Sequence, residues 1–168
     1  MLAVRVIPIV LFNGSQAVKS VQFKNHRNVG SVIQAARVYQ KRQVDELVFL
    51  DIGARRRGRP DWQTIEAFAS ELFCPFSVGG GISSLDDAKR LLSIGADKVA
   101  IGAGAGEAWE RLVGEIASSL GSQAVVACVD VDKCLERVSR KYYPHTLEKM
   151  QEAGAGEILL TDVCRDGM

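Results

Sequence analysis

Short apolar runs, rich in β-branched residues, alternate along the chain with longer stretches in which apolar residues recur every three or four positions. The short runs predict six β-strands, at Val4–Phe12, Glu46–Ile52, Phe76–Gly79, Lys98–Gly102, Ala124–Val131 and Glu157–Val163. The longer stretches predict five α-helices, at Val32–Arg42, Trp62–Leu72, Leu85–Ile94, Glu107–Leu120 and Thr146–Ala153. Strands that are almost continuously apolar and that alternate with helices indicate a parallel sheet covered on both faces.

Two architectures fit this pattern, an open doubly wound sheet and a (β/α)8 barrel. The residues after the first strand, Asn13, Gly14 and Ser15, lack the glycine fingerprint of a dinucleotide-binding sheet. Glycines instead follow the third and fourth strands, at Gly79–Gly81 and Gly102–Gly104. Glycines at the carboxyl ends of successive strands favour the barrel, whose functional site is built from the loops at that end.

Composition narrows the class of protein further. The 168 residues suit a single domain, and 47% are hydrophobic, which excludes an intrinsically disordered chain. A net charge of +1 gives no general attraction to nucleic acid or to an anionic membrane, and no apolar run approaches the roughly 18 residues of a membrane span. The N-terminus lacks the charged segment and the cleavage site of a secretory signal peptide. We therefore expect a cytoplasmic protein that binds neither nucleic acid nor membrane.

Four cysteines are spread over the chain, at Cys74, Cys128, Cys134 and Cys164. Their spacing does not match the paired ligands of a zinc site. Because there is no secretory signal, we expect reduced thiols, and Cys128 and Cys164 lie in or just after apolar strands, where they are expected to pack. The sequence implies no metal and no organic cofactor.

Six segments make the sequence specific: MLAVRVIP, DELVFLDI, PFSVGGGI, GADKVAIG, GSQAVVACVD, and GAGEILLT followed by CRDG. In this order they resemble the cyclase subunit of imidazole glycerol phosphate synthase, a (β/α)8 barrel of histidine biosynthesis. The resemblance implies a heterodimer with a glutaminase subunit. It also implies that ammonia made by the glutaminase passes along the barrel axis to a phosphorylated substrate at the carboxyl ends of the strands.

Four charged residues stand at the starts of predicted strands: Arg5, Glu46, Lys98 and Glu157. The resemblance implies that residues at these positions form a salt-bridged ring that gates the entrance for ammonia. Two positive and two negative charges balance such a ring, and buried charges are tolerable only when they are paired. The alternative is that they are ordinary solvated charges at strand ends.

Period-two alternation places small residues on the face that lines the barrel axis. Lys98, Ala100 and Gly102 share one face of their strand, as do Ser77 and Gly79. Most barrels fill the axis with bulky branched side chains, so small residues would leave a path for a small neutral molecule. The alternative is tight packing that uses small residues.

A carboxylate at the carboxyl end of a barrel strand is typical of a catalytic group, and Asp130 ends the fifth predicted strand. By resemblance Asp130 is the general acid of the cyclase, and a mostly enclosed carboxyl would have the raised pKa that this role needs. The alternative is an aspartate that caps a loop. Lys19, in the loop after the first strand, matches a family lysine in a mobile loop that covers the substrate.

Further residues are candidates for binding phosphate or substrate. Backbone N–H groups reach a phosphate only where no side chain intervenes, so the glycine-rich turns predict one phosphate site; the alternative is that the glycines only form tight βα turns. Its residues are Gly79, Gly80, Gly81, Gly102, Ala103 and Gly104. The resemblance adds a second site at Asp166 and Gly167. After Asp51 the sequence continues to a loop, RRRGRP, in which Arg55 and Arg57 would bind phosphate or carboxylate; a solvated loop is the alternative.

The chain departs from the family at the first strand, because the position of the second catalytic aspartate is Leu11. Leucine cannot transfer a proton, so the two-carboxylate mechanism lacks one partner. Gly53 replaces a hydroxyl residue after Asp51, and the stretch from Ala100 to Gly104 lacks the Ser, Asn and Thr side chains of the family.

This combination resembles paralogues of the cyclase that occur with a glutaminase paralogue and supply ammonia for an acetamidino group on a surface-polysaccharide sugar. We therefore expect a barrel that receives ammonia from a glutaminase and delivers it to a phosphorylated or nucleotide-linked small molecule. Two alternatives stay open: a histidine-pathway cyclase with an altered site, and a non-catalytic scaffold.

A complete (β/α)8 barrel needs about 250 residues. This chain has 168 and ends just after the sixth predicted strand. We expect about six βα units of such a barrel, forming one incomplete domain over residues 1–168 with the last strands missing. On this interpretation the chain is a fragment or a truncated product.

Overall fold

The structure is a computed structural model that describes residues 4–102, 107–131 and 147–168. One sheet contains eight strands: β1 (Ile9–Phe12), β2 (Ala17–Val21), β3 (Lys24–Gly30), β4 (Leu47–Asp51), β5 (Phe76–Gly79), β6 (Lys98–Gly102), β7 (Val125–Val131) and β8 (Glu157–Asp162). Their order across the sheet is β3-β2-β1-β4-β5-β6-β7-β8. Six strands are parallel to one another: β1, β4, β5, β6, β7 and β8. Strand β2 is antiparallel to both of its neighbours, β1 and β3.

Helices cover the outer face of this sheet. They are α1 (Val32–Lys41), α2 (Ala54–Arg57), α3 (Trp62–Ala69), α4 (Leu85–Ile94), α5 (Glu107–Leu120) and α6 (147–152). The sheet curls into half of a barrel, so the predicted fold class, the (β/α)8 barrel family, is confirmed. Within the described ranges, no helix is long and apolar enough to cross a membrane.

Most predicted elements match the structure, and the bounds of β5, β6, α4 and α5 are the predicted ones. The first strand was predicted to begin at Val4 but begins at Ile9, because Pro8 has no N–H to donate to a neighbouring strand and Val6 donates instead to the side chain of Asp45. Arg5 therefore precedes β1 rather than lying in it.

Several other element ends were also predicted wrongly, including the start of β7, which is Val125 rather than Ala124. Helix α3 ends at Ala69 rather than Leu72, and β8 ends at Asp162, where a short 3-10 turn follows. The predicted first residue of α6, Thr146, lies outside the described residues. Strand β4 and helix α1 are each shorter than predicted by one residue at one or both ends, as expected where the end of an element frays.

Two strands and one short helix were not predicted. Strands β2 and β3 form an antiparallel hairpin on the edge of the sheet, so Lys19 lies in a strand and not in a loop. The arginine run was predicted to be a loop, but it forms the single-turn helix α2, which ends at Gly58 with a left-handed φ of 70°. The hairpin and α2 both lie beyond the carboxyl ends of parallel strands, where the sequence predicts the functional site.

Side-chain caps define where the longer helices begin. Ser31 accepts a hydrogen bond from the backbone N–H of Ile33 at the start of α1, and Asp61 accepts one from Thr64 at the start of α3. Helix α4 ends at Gly95, whose φ of 114° is easily adopted only by glycine.

The hydrophobic core lies between the outer face of the sheet and the helices. Its largest side chains include Phe12, Phe49, Phe68 and Phe76, whose rings are neighbours with centroids 4.8 to 6.2 Å apart. The alternate residues of each parallel strand lie on the inner face. The two faces therefore have separate tasks: the outer one holds the helices, and the inner one carries the candidate functional groups.

Candidate functional site

Four charged side chains meet at the amino-terminal end of the parallel strands. We call Arg5, Glu46, Lys98 and Glu157 the basal ring. Lys98 Nζ lies 3.0 Å from Glu46 Oε1 and 2.9 Å from Glu157 Oε1. Arg5 Nη1 lies 3.1 Å from Glu46 Oε2, and Arg5 Nη2 lies 3.7 Å from Glu157 Oε1. Each cation therefore contacts both anions, and the structure brings together all four residues that the sequence singled out.

Glu46 is the most deeply buried member of the basal ring, with a side chain only 3% exposed. Ser77 Oγ donates a further hydrogen bond to Glu46 Oε1, at 2.9 Å. Burial alone would lower the pKa of Lys98, but its hydrogen bonds to Glu157 and Glu46 outweigh burial and raise the pKa. The alternative of ordinary solvated charges is therefore wrong for Glu46 and Lys98.

Small residues lie above the basal ring on the inner face. Ser77 is the register partner of Lys98, and Gly79 is the register partner of Ala100. Ser77, Gly79 and Ala100 are all buried. A Cβ atom on Gly79 would lie 2.8 Å from Leu50 Cδ2. Leu50 therefore fills the space that Gly79 leaves, and an axial path for ammonia stays a prediction.

Asp130 lies near the carboxyl end of β7, beside its register partner Thr161 of β8. Asp130 is exposed on the inner face of the half-barrel rather than mostly enclosed. Desolvation by neighbouring groups nevertheless raises the pKa of its carboxyl, against a hydrogen bond with Thr161 that lowers it. Close by, burial raises the pKa of the Cys128 thiol to about 12, and the charge of Asp130 adds to the effect. Cys128 is therefore a protonated thiol at neutral pH.

The inner face at β1 carries leucine where the resemblance implies a catalytic aspartate. Leu11 is the register partner of Leu50 in the neighbouring strand β4, and both are half-buried. The two leucines make this part of the inner face apolar. It therefore contrasts with the part at β7 and β8, where Asp130 and Thr161 are polar.

A buried ion pair lies at the carboxyl end of β4. The side chain of Asp51 is 0% exposed, and its Oδ2 accepts hydrogen bonds from Arg57 Nη2 and, at 3.1 Å, from the backbone N–H of Asp61. Among the described residues, the buried Oδ1 of Asp51 has no hydrogen-bond partner. Because it is enclosed, Asp51 holds Arg57 in place and does not itself reach a ligand in this structure.

The other predicted arginine has a different environment. Arg55 is exposed on α2, whereas its neighbour Arg56 donates to the backbone oxygen of Asn13 at 3.1 Å. Helix α2 is thus anchored to β4 through Arg57 and to the turn after β1 through Arg56. Of the two arginines predicted to bind a ligand, Arg55 points to solvent and Arg57 is partly buried against Asp51.

The glycine-rich turn after β5 packs closely against backbone. Gly80 and Gly81 have φ values of 107° and 74°, and a Cβ on Gly81 would lie 2.8 Å from the Cβ of Ala54. The turn therefore requires glycine for its packing against the start of α2. Gly102 is exposed at the end of β6, whereas Ala103 and Gly104 lie outside the described residues. The phosphate site predicted at these turns stays a prediction.

The first turn of α4, which follows the glycine-rich turn, contains a carboxylate of the chain itself, that of Asp87. Asp87 Oδ2 accepts hydrogen bonds from the backbone N–H and the hydroxyl of Ser83, both at 3.0 Å, while Ser84 Oγ accepts from the backbone N–H of Asp87. Burial would raise the pKa of Asp87, but these hydrogen bonds outweigh burial and lower the pKa. Asp87 therefore stays ionised at neutral pH beside the first turn of α4.

The β2–β3 hairpin is tied to the segment after β8, and we call this contact the hairpin latch. Ser20 Oγ donates to Asp166 Oδ2 at 2.7 Å, and the backbone N–H of Phe23 donates to the same oxygen at 3.3 Å. The backbone N–H of Gln22 donates to the carbonyl oxygen of Asp166 at 2.9 Å. The side-chain amide of Gln22 donates to the carbonyl oxygen of Cys164, also at 2.9 Å. The two edges of the half-barrel are therefore joined across its carboxyl end.

The hairpin latch determines where Lys19 and Gly167 lie. Ser20 is buried and Lys19 is exposed, so Lys19 is on the face of the hairpin away from the latch, with Arg27 as its register partner. Gly167 has a φ of 71° and packs directly against the backbone of Ser20. The residues predicted to hold a second phosphate, Asp166 and Gly167, instead contact the hairpin in this structure.

Sequence reasoning missed two side chains that complete these clusters. Ser77 was placed on the inner face, but its hydrogen bond to Glu46 was not predicted; a polar residue in an apolar strand beside a charged ring was the available signal. Ser20 gave no signal, because its partner Asp166 lies 146 positions away in the chain.

Comparison with known proteins agrees with this geometry. A family model described as "Histidine biosynthesis protein" matches residues 5–168. The chain is 38% identical over 175 residues to the putative imidazole glycerol phosphate synthase subunit hisF2 of Campylobacter jejuni, covering 99% of this chain and 70% of that protein. It is 41% identical over 182 residues to the imidazole glycerol phosphate synthase subunit HisF of Chlorobium phaeovibrioides, with the same coverage of 99% and 70%. The putative subunit HisF of Leptospira interrogans is 37% identical over 183 residues, which cover 100% of this chain and 71% of that protein.

Proposed function

The chain belongs to the histidine biosynthesis protein family, as a HisF-like cyclase subunit of imidazole glycerol phosphate synthase, and from this premise we propose that it works with a glutaminase. In this proposal the basal ring admits ammonia from the glutaminase. The ammonia moves along the inner face to an acceptor at the carboxyl ends of the strands. The acceptor is a phosphorylated or nucleotide-linked sugar that is amidated for a surface polysaccharide.

One observation carries this proposal: the basal ring is complete, while the first strand has lost its carboxylate. All four charged residues of the ring are present and paired, which suits an entrance that still works. Leu11 removes one of the two groups that ring closure to an imidazole would use. A barrel with a complete entrance and half of the cyclase machinery fits delivery of ammonia to a different acceptor.

Exposed apolar side chains around the basal ring support docking of a glutaminase there. Phe73 is 90% exposed, and Val4 and Val6 on either side of Arg5 are also exposed. Phe73 lies two residues before Pro75, whose carbonyl oxygen accepts a hydrogen bond from the backbone N–H of Leu47. Because Leu47 follows Glu46, this contact brings the segment that carries Phe73 beside the basal ring. Exposed apolar residues that surround a polar centre are typical of a protein–protein interface.

Asp130 supplies the single proton acceptor that an amidation step needs. When the nitrogen of ammonia forms a bond to an activated carbon of the acceptor, the bond from that carbon to its phosphate leaving group breaks and the phosphate departs with the electron pair. The nitrogen then loses a proton, which the carboxylate of Asp130 takes up. A raised pKa makes Asp130 a stronger base than an ordinary aspartate. In this scheme no second carboxylate on β1 is required.

The test is to purify the chain with its cognate glutaminase and to measure glutamine hydrolysis with and without the chain. We expect faster hydrolysis with the chain, and a further increase when the acceptor sugar is added. A glutaminase that is unaffected by the chain contradicts the proposal. A glutaminase that is stimulated, with no sugar amidated, supports the partner but not the acceptor.

A second candidate function is cyclisation in histidine biosynthesis. Asp130 favours it, because one of the two implied carboxylates is retained, and the chain is 41% identical to a Chlorobium subunit with that name. The test supplies the cyclase substrate with ammonium and measures imidazole glycerol phosphate. Activity in the chain with Leu11 in place favours this candidate over sugar amidation, whereas activity only in Leu11→Asp indicates that the cyclase reaction has been lost.

A further inference from the structure

One cation at the carboxyl end of the half-barrel has hydrogen-bond donors that the fold leaves unused. Within the described ranges, the guanidinium of Arg57 donates to Asp51 alone, through Nη2. The Arg57 side chain is 30% exposed, so solvent reaches part of it. A guanidinium carries five N–H donors in a planar fork, so a carboxylate that holds one N–H leaves the others oriented and available.

Two glycines leave the space that this guanidinium occupies. A Cβ atom on Gly14 would lie 2.5 Å from Arg57 Nη1, and one on Gly53 would lie 2.8 Å from it. Gly14 follows β1 and Gly53 follows β4, so Nη1 lies between the carboxyl ends of two neighbouring strands. A Cβ atom on Gly53 would also lie 2.5 Å from the backbone oxygen of Asn13, so a larger residue at position 53 would clash with the turn after β1 as well as with the guanidinium.

The charge at these two strand ends favours an anion. Asp51 is enclosed and neutralises a single positive charge, while Arg55 adds an exposed one on the same helix. The inner-face residues of β1 and β4 nearest these ends, Leu11 and Leu50, carry no charge.

We propose that Arg57 binds an oxyanion of the acceptor molecule, either a carboxylate or a phosphate group, through the guanidinium N–H groups that Asp51 holds in place. The inference rests on the proposed function in one respect, that the acceptor binds at the carboxyl ends of the strands. Asp51 acts as a positioning residue, and Gly14 and Gly53 provide the room. The guanidinium lies over the ring of Phe12, with its Cζ 5.9 Å from the ring centroid.

The test titrates inorganic phosphate and, separately, glucuronate into the 15N-labelled full chain while the arginine Nε–H signals are followed by NMR. We expect the Arg57 signal to shift to saturation with at least one of the two anions. Arg57→Lys keeps the charge opposite Asp51 but lacks the planar fork, so we expect it to weaken binding by about tenfold or more. Arg111→Lys, at an exposed position of α5, is the matched control and should bind the anion as the parent does.

The two anions separate the two chemical sources. A shift with glucuronate alone assigns a carboxylate, and a shift with phosphate alone assigns a phosphate. The proposal is overturned if neither anion shifts the Arg57 signal, or if Arg57→Lys binds as tightly as the parent. If Arg57→Lys fails to fold, the double variant Asp51→Asn with Arg57→Gln removes both buried charges together and takes its place.

This titration needs no glutaminase, so its result can contradict the anion site without contradicting the proposed function, and the reverse also holds. An anion that binds Arg57 in a chain that leaves the glutaminase unaffected supports the anion site and contradicts ammonia delivery. A chain that stimulates the glutaminase but shows no shift at Arg57 contradicts the anion site alone.

Discussion

The two ends of the parallel strands are stabilised in different ways. At the amino-terminal end, the residues of the basal ring stand at or before the starts of the parallel strands and contact one another directly. At the carboxyl end, elements outside those strands supply the partners: α2 provides Arg57 for Asp51, and the hairpin provides Ser20 for Asp166. The comparison teaches that the entrance is fixed by the strands themselves, whereas the ligand end can be rebuilt by changing the segments between them.

The largest expected effect is at the amino-terminal end. Glu46→Ala leaves Arg5 and Lys98 facing each other without their shared buried carboxylate, and it removes the acceptor of Ser77. We expect the free energy of unfolding to fall by about 3 kcal/mol, because removing one partner of a buried ion pair leaves the other charges uncompensated. Urea denaturation measures it, with Glu115→Ala on the exposed face of α5 as the control. Equal stability of the two variants would show that the ring contributes no more than surface charges.

At the carboxyl end, Ser20→Ala should open the hairpin without unfolding the barrel. It removes a hydrogen bond to a carboxylate, which is worth about 1.5–3 kcal/mol. We expect trypsin to cut after Lys19, Lys24 or Arg27 at least about tenfold faster, because cleavage follows the population of the open hairpin. Ser15→Ala, an exposed serine before the hairpin, is the control. An unchanged cleavage rate in Ser20→Ala would mean that the backbone contacts of the hairpin latch suffice.

A smaller effect is expected for the exposed part of the basal ring. The Arg5 side chain is 52% exposed, so its pairing with Glu46 is weakened by solvent. We expect Arg5→Ala to lower the free energy of unfolding by less than about 1 kcal/mol. Stimulation of the glutaminase should change more than stability does, because the proposed gate loses one of its four charges. A variant that loses stability but retains full stimulation would contradict the gate.

The smallest expected effect is a pH dependence of stability that arises from Asp130, at the carboxyl end. Asp130 has a folded-state pKa above its ordinary value of 3.8, so the native state binds more protons than the unfolded state between the two values. The free energy of unfolding therefore falls as the pH rises through that window, and Asp130→Asn should remove this fall. Denaturation curves across the acidic range, read beside an NMR titration of the carboxyl, measure it.

Lys98 also has a raised pKa, so its contribution to the free energy of unfolding also falls as the pH rises, but in the alkaline range. Its contribution is fully present below the ordinary value of 10.5 and is lost as the pH rises through the folded-state pKa. The basal ring should therefore stay intact across the neutral range. A loss of stability on moving from neutral to mildly alkaline pH that Lys98→Met abolishes would contradict this assignment.

The sequence predicted the amino-terminal end well because its signals are local. Six apolar runs with period-two alternation fix the parallel strands, and a charge near the start of four of them brings those charges together once the strands align. Lys98 and Glu157 begin β6 and β8 as predicted. Arg5 reaches the ring from outside β1, since a long side chain tolerates a shift in the end of a strand.

The carboxyl end was predicted less well because it depends on contacts between distant segments. Strand β3, from Lys24 to Gly30, is almost entirely exposed and has no apolar alternation, so its residues predict a loop. Helix α2 contains four residues, too few for a helical period, and its anchor is the ion pair with Asp51. Neither segment specifies its own structure; each takes it from a partner elsewhere in the chain.

The hairpin latch has a consequence for the order in which the chain folds. Ser20 and Asp166 are separated by 146 positions, so their contact closes a long loop and gains nothing until the strands between them are in place. During synthesis the hairpin emerges early and can pair with β1, but it lacks its contacts with Asp166 until that residue has been made. We therefore expect docking of the hairpin to be a late step, with transition-state φ-values near zero at Ser20. The hairpin, although it is synthesised directly after β1, would then be among the last segments of the sheet to reach its final position.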